Sequence, residues 1–216
     1  STPPSPPSPP PSAGDRERMT VYDVTVLNRR NGIPVEGADV TVGGFISRTT
    51  DSLGRARFVF PQDNYPVDVR ALGYNRLHYT VSKGETRDTV FMTVALNRSI
   101  VLKNIYYDFD KYDLRPESIT ELDKVVSFMK ANRDLNVELG SHTDSRGNDD
   151  YNQRLSENRA RSAVQYIISR GIDPARIHSR GYGESRLVNG CSNGVNCTED
   201  QHQMNRRTEI IVTEQQ

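Results

Sequence analysis

The sequence lacks the features that would place the chain in a membrane or on a nucleic acid. No apolar run approaches the roughly 20 residues that a membrane-spanning helix needs, so we expect no direct insertion into a bilayer. The 28 basic and 28 acidic residues cancel, so no global positive field would attract a polyanion such as DNA. No secretory signal pattern is visible at Ser1, and we expect any targeting segment to have been removed or to lie upstream.

Cysteine is also scarce. Cys191 and Cys197 are the two cysteines of the chain, and they lie close together in the segment NGCSNGVNC. A structural zinc site would need about four ligands, and His202 is the one further candidate nearby, so a local disulfide is the favoured interpretation. Such a disulfide would contribute about 2 kcal/mol and would indicate an oxidising compartment. We therefore expect no metal and no cofactor.

Three segments of different composition divide the chain into a linker and two domains. Residues 1–18 are dominated by Pro and Ser, which favours an extended spacer rather than a packed core. Residues 19–98 contain short alternating apolar runs separated by glycine-rich turn signals, which predicts a small antiparallel β-sandwich. Residues 99–216 change to a helical period and form the third segment.

The predicted sandwich carries a family resemblance. Its segments GIPVEGADVTV, TTDSLGRARF and YPVDVRALGY resemble the carboxypeptidase-regulatory-like domains. The resemblance implies a seven-stranded, transthyretin-like sandwich without catalytic activity. Asp51 and Asp68 could suggest a cation site, but isolated carboxylates on turns and strands are more often solvated.

Residues 99–216 predict a two-layer α/β sandwich. Pro116 can begin a helix, because its missing N–H costs nothing in a first turn. The apolar face of that helix would consist of Ile119, Leu122, Val125, Val126 and Met129. A second helix, ending near Gly171, would bury Leu155, Ala160, Ala163, Val164, Ile167 and Ile168. The order βαβαββ, with right-handed crossovers, places both helices on one face of a mixed sheet.

Polar segments fall at the joints between these elements, where α/β folds usually bind ligands. They are YYDFDKYDL, SHTDSRG and YNQRLSENRARSAV. On the second helix Asn152, Ser156 and Arg159 are spaced i, i+4, i+7 and share one face. Spacing alone leaves open that this face is solvated and makes ordinary ion pairs.

The same segments resemble the OmpA-like peptidoglycan-binding domains, which include the Pal lipoproteins and the flagellar-motor stator plugs. The matching residues are IYYDFDKYDLRPES, HTDSRGNDDYNQRLSENRA, GYGES and NRRTEI, in family order and spacing over residues 100–213. The resemblance implies that Asp144 and Arg159 hold the diaminopimelate residue of a peptidoglycan stem peptide. It also implies that Asp110, Asn152 and Arg206 line the same pocket, and that Asp108 can do so.

The chemistry of these residue types suits that ligand. The distal end of diaminopimelate is a zwitterion, so a carboxylate can pair with its ammonium group while a guanidinium forks onto its carboxylate. The chain departs from the family in two places. Ser141 stands where glycine usually precedes HTD, and the cysteine-bearing loop between GYGES and NRR is long, so we expect this loop to border the pocket.

Other chemical interpretations are weaker. Asp108, Asp110 and Asp113 superficially resemble a calcium loop, but their spacing and the missing glycine do not fit an EF-hand. His142 has no nucleophile or second histidine at matching positions, so a buried structural histidine is favoured over a catalytic one. An enzyme that modifies peptidoglycan is the alternative function, and it would need a metal cluster or an activated nucleophile. A structural protein without ligand binding is disfavoured by the presence of both Asp144 and Arg159.

The combined resemblances predict a non-enzymatic protein that binds peptidoglycan and anchors an outer-membrane or secretion-associated assembly to the cell wall. A regulatory-like sandwich joined to this kind of domain resembles Bacteroidetes envelope proteins, including a lipoprotein component of the type IX secretion system. We therefore expect a periplasmic location associated with the outer membrane, through an upstream lipid anchor or through other proteins of the envelope or secretion complex.

Overall fold

A computed structural model describes residues 19–103, 105, 114 and 116–215 of the 216-residue chain. Within these ranges the chain forms two compact units, residues 19–71 with 75–93 and residues 72–74 with 94–215. None of the helices in the described ranges is long and apolar enough to cross a membrane. The spacer predicted for residues 1–18 lies outside them.

The first unit is a β-sandwich, as predicted. Its strands are β1 (Met19–Asn28), β2 (Asp39–Val42), β3 (Ile46–Thr49), β4 (Arg55–Pro61), β5 (Tyr65–Arg70), β6 (Leu77–Val81) and β7 (Arg87–Met92). One sheet has the order β4-β1-β7 and the other has the order β3-β2-β5-β6. The pairs are antiparallel except β1 and β7, which run parallel. Because β7 reaches β1 by way of the other sheet rather than through a hairpin, no tight turn requires the antiparallel direction.

Alternating side chains build the core of this sandwich. Tyr22, Val24 and Val26 of β1 are completely buried. The Tyr22 hydroxyl donates to Asp88 Oδ2 at 2.8 Å and lies 2.8 Å from the Tyr79 hydroxyl on the other sheet. Burial raises the pKa of Tyr79 to about 12. The two phenols therefore stay neutral at physiological pH and link the sheets through hydrogen bonds.

The turn between β3 and β4 explains both a glycine and an aspartate. Gly54 has a φ of +70°, and a Cβ at this position would lie 2.4 Å from the carbonyl oxygen of Val26. Asp51 Oδ1 accepts hydrogen bonds from the backbone N–H groups of Leu53 and Arg55, at 2.9 and 2.8 Å. Asp51 therefore organises the turn.

The second unit is an α/β sandwich, as predicted. Its elements are β8 (Ser99–Leu102), α1 (Pro116–Ala131), β9 (Leu135–Ser141), α2 (Asp149–Ser169), a 3₁₀ helix (Pro174–Arg176), β10 (Ile177–Gly181), α3 (Glu199–Asn205) and β11 (Thr208–Glu214). The sheet has the order β10-β9-β11-β8. β9 and β10 run parallel, while β11 runs antiparallel to β9 and β8. The short helix α3 was not predicted.

Both long helices pack on the same face of this sheet. The predicted apolar arc of α1 is buried except for Ile119, which is 37% exposed. Residues of both helices and alternate residues of β9 belong to one apolar cluster, which includes Leu122, Val125, Met129, Leu135, Val137, Leu139, Ala160, Ala163 and Ile167. Because alternate residues of a strand point to one face, the shared cluster places α1 and α2 together on that face.

The ends of α2 determine where the functional face begins. Asn148 caps the helix, and its side chain accepts hydrogen bonds from the N–H groups of Asp150 and Tyr151. Gly171 follows the helix with a φ of +91° and donates to the carbonyl oxygen of Ile168, as predicted for a glycine at this position. The cap fixes the start of α2 at Asp149, eight residues after the end of β9 at Ser141, and the polar residues of the site lie in and beside this connection.

Candidate ligand-binding site

A cavity of about 680 Å³ lies where β9 ends and α2 begins. Its walls come from residues 141–147, from α2, and from α3 with the start of β11. The acidic, arginine and amide side chains that line it, among the described residues, are those of Asp144, Arg146, Asn152, Arg159, Glu199, Gln203, Arg206 and Arg207. Of the five predicted binding residues, Asp144, Asn152, Arg159 and Arg206 all line this cavity, while Asp110 lies outside the described residues, as do Asp108 and Asp113.

Asp144 is a buried carboxylate in the turn after β9. Its side chain is 8% exposed and accepts hydrogen bonds from Arg146 Nη2 at 2.7 Å and from Arg206 Nη1 at 2.5 Å. The backbone N–H of Arg146 donates to Asp144 Oδ1 at 3.0 Å. Burial acts to raise the pKa of Asp144, but these hydrogen bonds outweigh it and lower the pKa to about 2. Asp144 therefore carries a full negative charge at neutral pH.

Four of the lining residues form a closed ring of ion pairs, which we call the Asp144 ring: Asp144, Arg146, Glu199 and Arg206. Arg146 Nη1 lies 2.9 Å from Glu199 Oε2, and Arg206 Nη2 lies 2.5 Å from Glu199 Oε1. Each carboxylate thus contacts both guanidinium groups, and charges alternate around the ring. The two arginines lower the pKa of Glu199. Among the described residues, four arginines line the cavity, Arg146, Arg159, Arg206 and Arg207, together with the two carboxylates Asp144 and Glu199, which suits a ligand that carries an anionic group.

Asn152 and Arg159 bring α2 to the cavity in different ways. Arg159 is half-buried and lines the cavity. Asn152 is 3% exposed, and its Nδ2 donates to the carbonyl oxygens of Asp144 and Arg146 at 3.3 and 3.2 Å and to Glu184 Oε2 at 2.6 Å. Asn152 therefore attaches the Asp144 turn to the helix.

Ser156 shares the helix face of Asn152 but does not line the cavity. Its hydroxyl donates to the carbonyl oxygen of Gln153 and accepts from the N–H of Gly183, both at 2.8 Å. A Cβ on Gly181 would lie 2.4 Å from the backbone nitrogen of Glu157. The segment GYGES therefore packs directly against α2, and glycine permits this close approach.

The two cysteines form the predicted disulfide, Cys191–Cys197. Neither cysteine lines the cavity, but each is connected to a residue next to or in its lining. The Ser145 hydroxyl donates to the carbonyl oxygen of Cys191 at 2.6 Å, next to Asp144 in the chain. On the other side, Glu199 follows Cys197 by two residues. The disulfide is therefore connected to the site indirectly, through Ser145 beside Asp144 and through Glu199.

His142 is a buried structural residue, in agreement with its interpretation from the sequence. Its ring stacks on Tyr182 with centroids 4.9 Å apart and an interplanar angle of 12°. His142 Nε2 lies 3.1 Å from Glu209 Oε1, and this contact is the main cause that lowers the pKa of Glu209 to about 2. Among the described residues, no group of three or more His, Cys, Asp or Glu side chains could hold a metal ion.

Sequence reasoning missed Arg146 and Glu199. Both are charged residues in polar segments, and their residue types alone did not separate them from solvated positions. A signal for Glu199 existed: Thr198 and Gln201 have the spacing of a capping box, and in the structure each accepts a hydrogen bond from the backbone N–H of the other. That motif would have predicted α3 and placed an acidic residue in its first turn.

Comparison with known proteins assigns this unit a family resemblance. Residues 106–200 match the model of the OmpA family. Outer membrane porin F of Pseudomonas fluorescens is 40% identical over 112 residues, which cover 52% of this chain and 33% of the porin. The peptidoglycan-associated lipoprotein of Pseudomonas putida is 34% identical over 109 residues, covering 50% of this chain and 62% of the lipoprotein. The chain thus spans from about a third to three fifths of these two relatives.

Solved structures similar to the chain include a lipoprotein and a MotB-like protein. The peptidoglycan-associated lipoprotein of Burkholderia pseudomallei is 22% identical, with a TM-score of 0.45 over 54% of this chain and 90% of that chain. A MotB-like protein of Desulfovibrio vulgaris is 21% identical, with a TM-score of 0.47 over 55% of this chain and 74% of that chain.

Proposed function

We propose that this chain binds peptidoglycan without covalent chemistry and thereby anchors an outer-membrane or secretion-associated assembly to the cell wall. The observation that carries the proposal is the cavity that Asp144, Arg159 and Arg206 line, because Asp144 and Arg159 lie inside residues 106–200, which match the OmpA family. A relative with 34% identity is named for its association with peptidoglycan. Modest affinity for each stem peptide suffices, because the wall presents many copies to a tethered protein.

The ligand group that we propose is the zwitterionic end of diaminopimelate in the stem peptide. Asp144 would accept from its ammonium group, and Arg159 would fork onto its carboxylate. The low pKa of Asp144, about 2, supports this assignment, because the carboxylate stays charged throughout the physiological pH range. Asn152 and Arg206 would hold Asp144 in place from α2 and from the residues after α3.

Asp144 can serve a ligand although two arginines already contact it. A carboxylate offers about four acceptor positions on its two oxygens, so an ammonium group can share it with the guanidinium groups. A ligand ammonium group that displaces the 53% exposed Arg146 from Asp144 replaces one positive partner with another, so the buried carboxylate stays paired. The buried position of Asp144 makes any remaining contact stronger.

We further propose a periplasmic location associated with the outer membrane, through an upstream lipid anchor or partner proteins. The disulfide supports an oxidising compartment. In this arrangement residues 1–18 are the spacer, residues 19–98 are a carboxypeptidase-regulatory-like domain, and residues 99–216 are the wall-binding domain. The pairing of such domains supports membership of a type IX secretion assembly, which copurification with envelope proteins would test.

The direct test is binding to purified sacculi and to a diaminopimelate-containing stem peptide by calorimetry. Asp144→Ala and Arg159→Ala should each weaken binding by roughly tenfold to hundredfold, the range for a lost charge-assisted hydrogen bond. Arg154→Ala is the matched control, since Arg154 is an exposed arginine of the same helix. Unchanged binding in both site variants would refute the proposal. Release of soluble fragments from sacculi would instead favour the enzyme alternative.

A further inference from the structure

Glu199 stands on the solvent side of the Asp144 ring. Its side chain is 65% exposed, whereas that of Asp144 is 8% exposed. Both carboxylates contact the same two arginines, so the two acids lie on opposite sides of a pair of guanidinium groups. The proposed function uses Asp144 and leaves Glu199 without a role.

The position of Glu199 is set by covalent and hydrogen-bonded constraints outside the ring. Thr198 and Gln201 close the capping box that begins α3, which fixes the first turn in which Glu199 lies. Two residues earlier, Cys197 is joined to Cys191, whose carbonyl oxygen accepts from Ser145 beside Asp144. The turn that carries Asp144 and the helix that carries Glu199 are therefore linked to each other independently of the ion pairs.

An alternating ring of two carboxylates and two guanidinium groups responds differently to ligands of different charge. A ligand with only a carboxylate can take an arginine from Glu199, but it leaves Glu199 with one partner fewer. A zwitterion brings one charge of each sign, so it can enter between Glu199 and an arginine and leave every charge paired. Opening the ring at Asp144 is more costly, because a buried charge would lose its partner.

We infer that Glu199 is a specificity-determining residue, which accepts from the ligand's ammonium group while the adjacent carboxylate, held by Arg159, also accepts from Arg146 or Arg206. The inference rests on the proposed function and extends it. An ammonium group has three donors, so it can contact Asp144 and Glu199 together where it takes the place of one of the two guanidinium groups between them. The Asp144 ring then selects ligands in which an amino group and a carboxylate lie on the same carbon, as in the free end of a diamino acid.

The test compares two synthetic stem peptides, one with the free zwitterionic end and one in which hydrogen replaces the distal amino group. Glu199→Gln should weaken binding of the zwitterionic peptide by roughly twofold to fivefold, the scale of exposed ion pairs. It should leave the affinity of the des-amino peptide equal to, or greater than, that of the unsubstituted protein, because the arginines lose a competing anion. A loss of affinity for the zwitterionic peptide without a loss for the des-amino peptide distinguishes a specificity role of Glu199 from a general loss of structure.

Asp200→Asn is the matched control, because Asp200 is exposed and lies in the same first turn of α3 as Glu199. This substitution removes the same charge as Glu199→Gln. Thermal unfolding of each variant checks that α3 is retained. The inference is overturned if Glu199→Gln changes both affinities by the same factor, or if Asp200→Asn reproduces its effect. Failure of the proposed function would be recognised by a different result, namely that the zwitterionic peptide still binds to the Asp144→Ala and Arg159→Ala variants.

Discussion

The two units each hold an aspartate between two arginines, and the difference between them is instructive. Asp68 on β5 accepts from Arg70 Nε at 2.8 Å and from Arg76, and its pKa is lowered by these contacts against the effect of burial. Its partners come from within eight residues. Asp144 pairs with Arg146 and with Arg206, which lies 62 residues away, and both of its arginines are shared with a second carboxylate.

The comparison shows that a carboxylate with two arginines does not by itself mark a binding site. Asp68 is paired by neighbours on and beside its own strand, and it does not line the cavity. Asp144 is paired by Arg146 of its own turn and by Arg206, which follows α3, and these two distant segments meet around a cavity of about 680 Å³. Groups assembled from distant segments around an opening are better candidates for function than groups that adjacent residues form on a surface.

The largest expected difference is in ligand binding. Asp144→Asn, which removes the charge with little change in shape, should weaken stem-peptide binding by roughly tenfold to hundredfold. Asp68→Asn makes the same chemical change in the other unit and should leave the affinity unchanged. Calorimetric titration of both variants checks this. Equal losses in the two variants would show that a general charge effect, rather than the Asp144 ring, determines binding.

Removal of the disulfide should disturb the Asp144 ring but leave intact the ion pairs of Asp68 with Arg70 and Arg76. The double substitution Cys191→Ser and Cys197→Ser should lower the free energy of unfolding of the second unit by about 2 kcal/mol, because the unfolded chain regains loop entropy. The amides of β9 should then exchange hydrogen faster, while those of β5 keep their rates. A reducing agent should have the same effect on the unsubstituted protein and none on the double variant. A matching change in β5 exchange would contradict the expectation.

Acid should weaken the second unit through Asp144. Its pKa falls from 3.8 to about 2 on folding, so its ionised form stabilises the folded state above pH 4, and this stabilisation is lost as the pH falls toward 2. The free energy of unfolding of the unsubstituted protein should therefore exceed that of Asp144→Asn by about 1 to 2 kcal/mol at pH 6. The difference should shrink between pH 4 and 2.

Hydrogen exchange of β9 amides at several pH values measures this difference. Glu209, with a pKa of about 2, titrates in the same range, but it is present in both proteins and cancels from the comparison. A difference between the two proteins that stays constant from pH 6 to pH 2 would show that Asp144 contributes through its shape rather than its charge.

Much of the framework could be predicted from sequence because it depends on local periodicity. The apolar arcs of α1 and α2, the cap at Gly171 and the alternation in β1 are short-range patterns that survive folding. The family resemblance also placed Asp144 and Arg159 on adjoining elements. Periodicity predicted that Asn152 and Ser156 share a face with Arg159, but it could not show that the Asp144 turn and the GYGES segment pack against that face.

The Asp144 ring could not be predicted either, because it also depends on which distant segments pack together. Arg146 and Glu199 are 53 residues apart, and their meeting depends on where α3 lies after the disulfide loop. By residue type alone, Arg146 and Glu199 cannot be distinguished from other charged residues on the surface. A ring of four charges from two distant segments, the turn after β9 and α3 with its C-cap, is a property of the tertiary fold, and no single stretch of sequence contains it.

The smallest expected effect concerns the stability of the sandwich. Asp68→Asn should lower the free energy of unfolding of the first unit by less than about 1 kcal/mol, because Arg70 and Arg76 are largely exposed and pairs near the surface contribute little. High salt should reduce even this difference, since the arginines are open to screening. Hydrogen exchange of β5 amides at low and high salt measures both effects. A loss of several kcal/mol would mean that Asp68 is as deeply integrated in its unit as Asp144 is in the other, and that the distinction between a surface ion-pair cluster and a site assembled from distant segments does not hold for this chain.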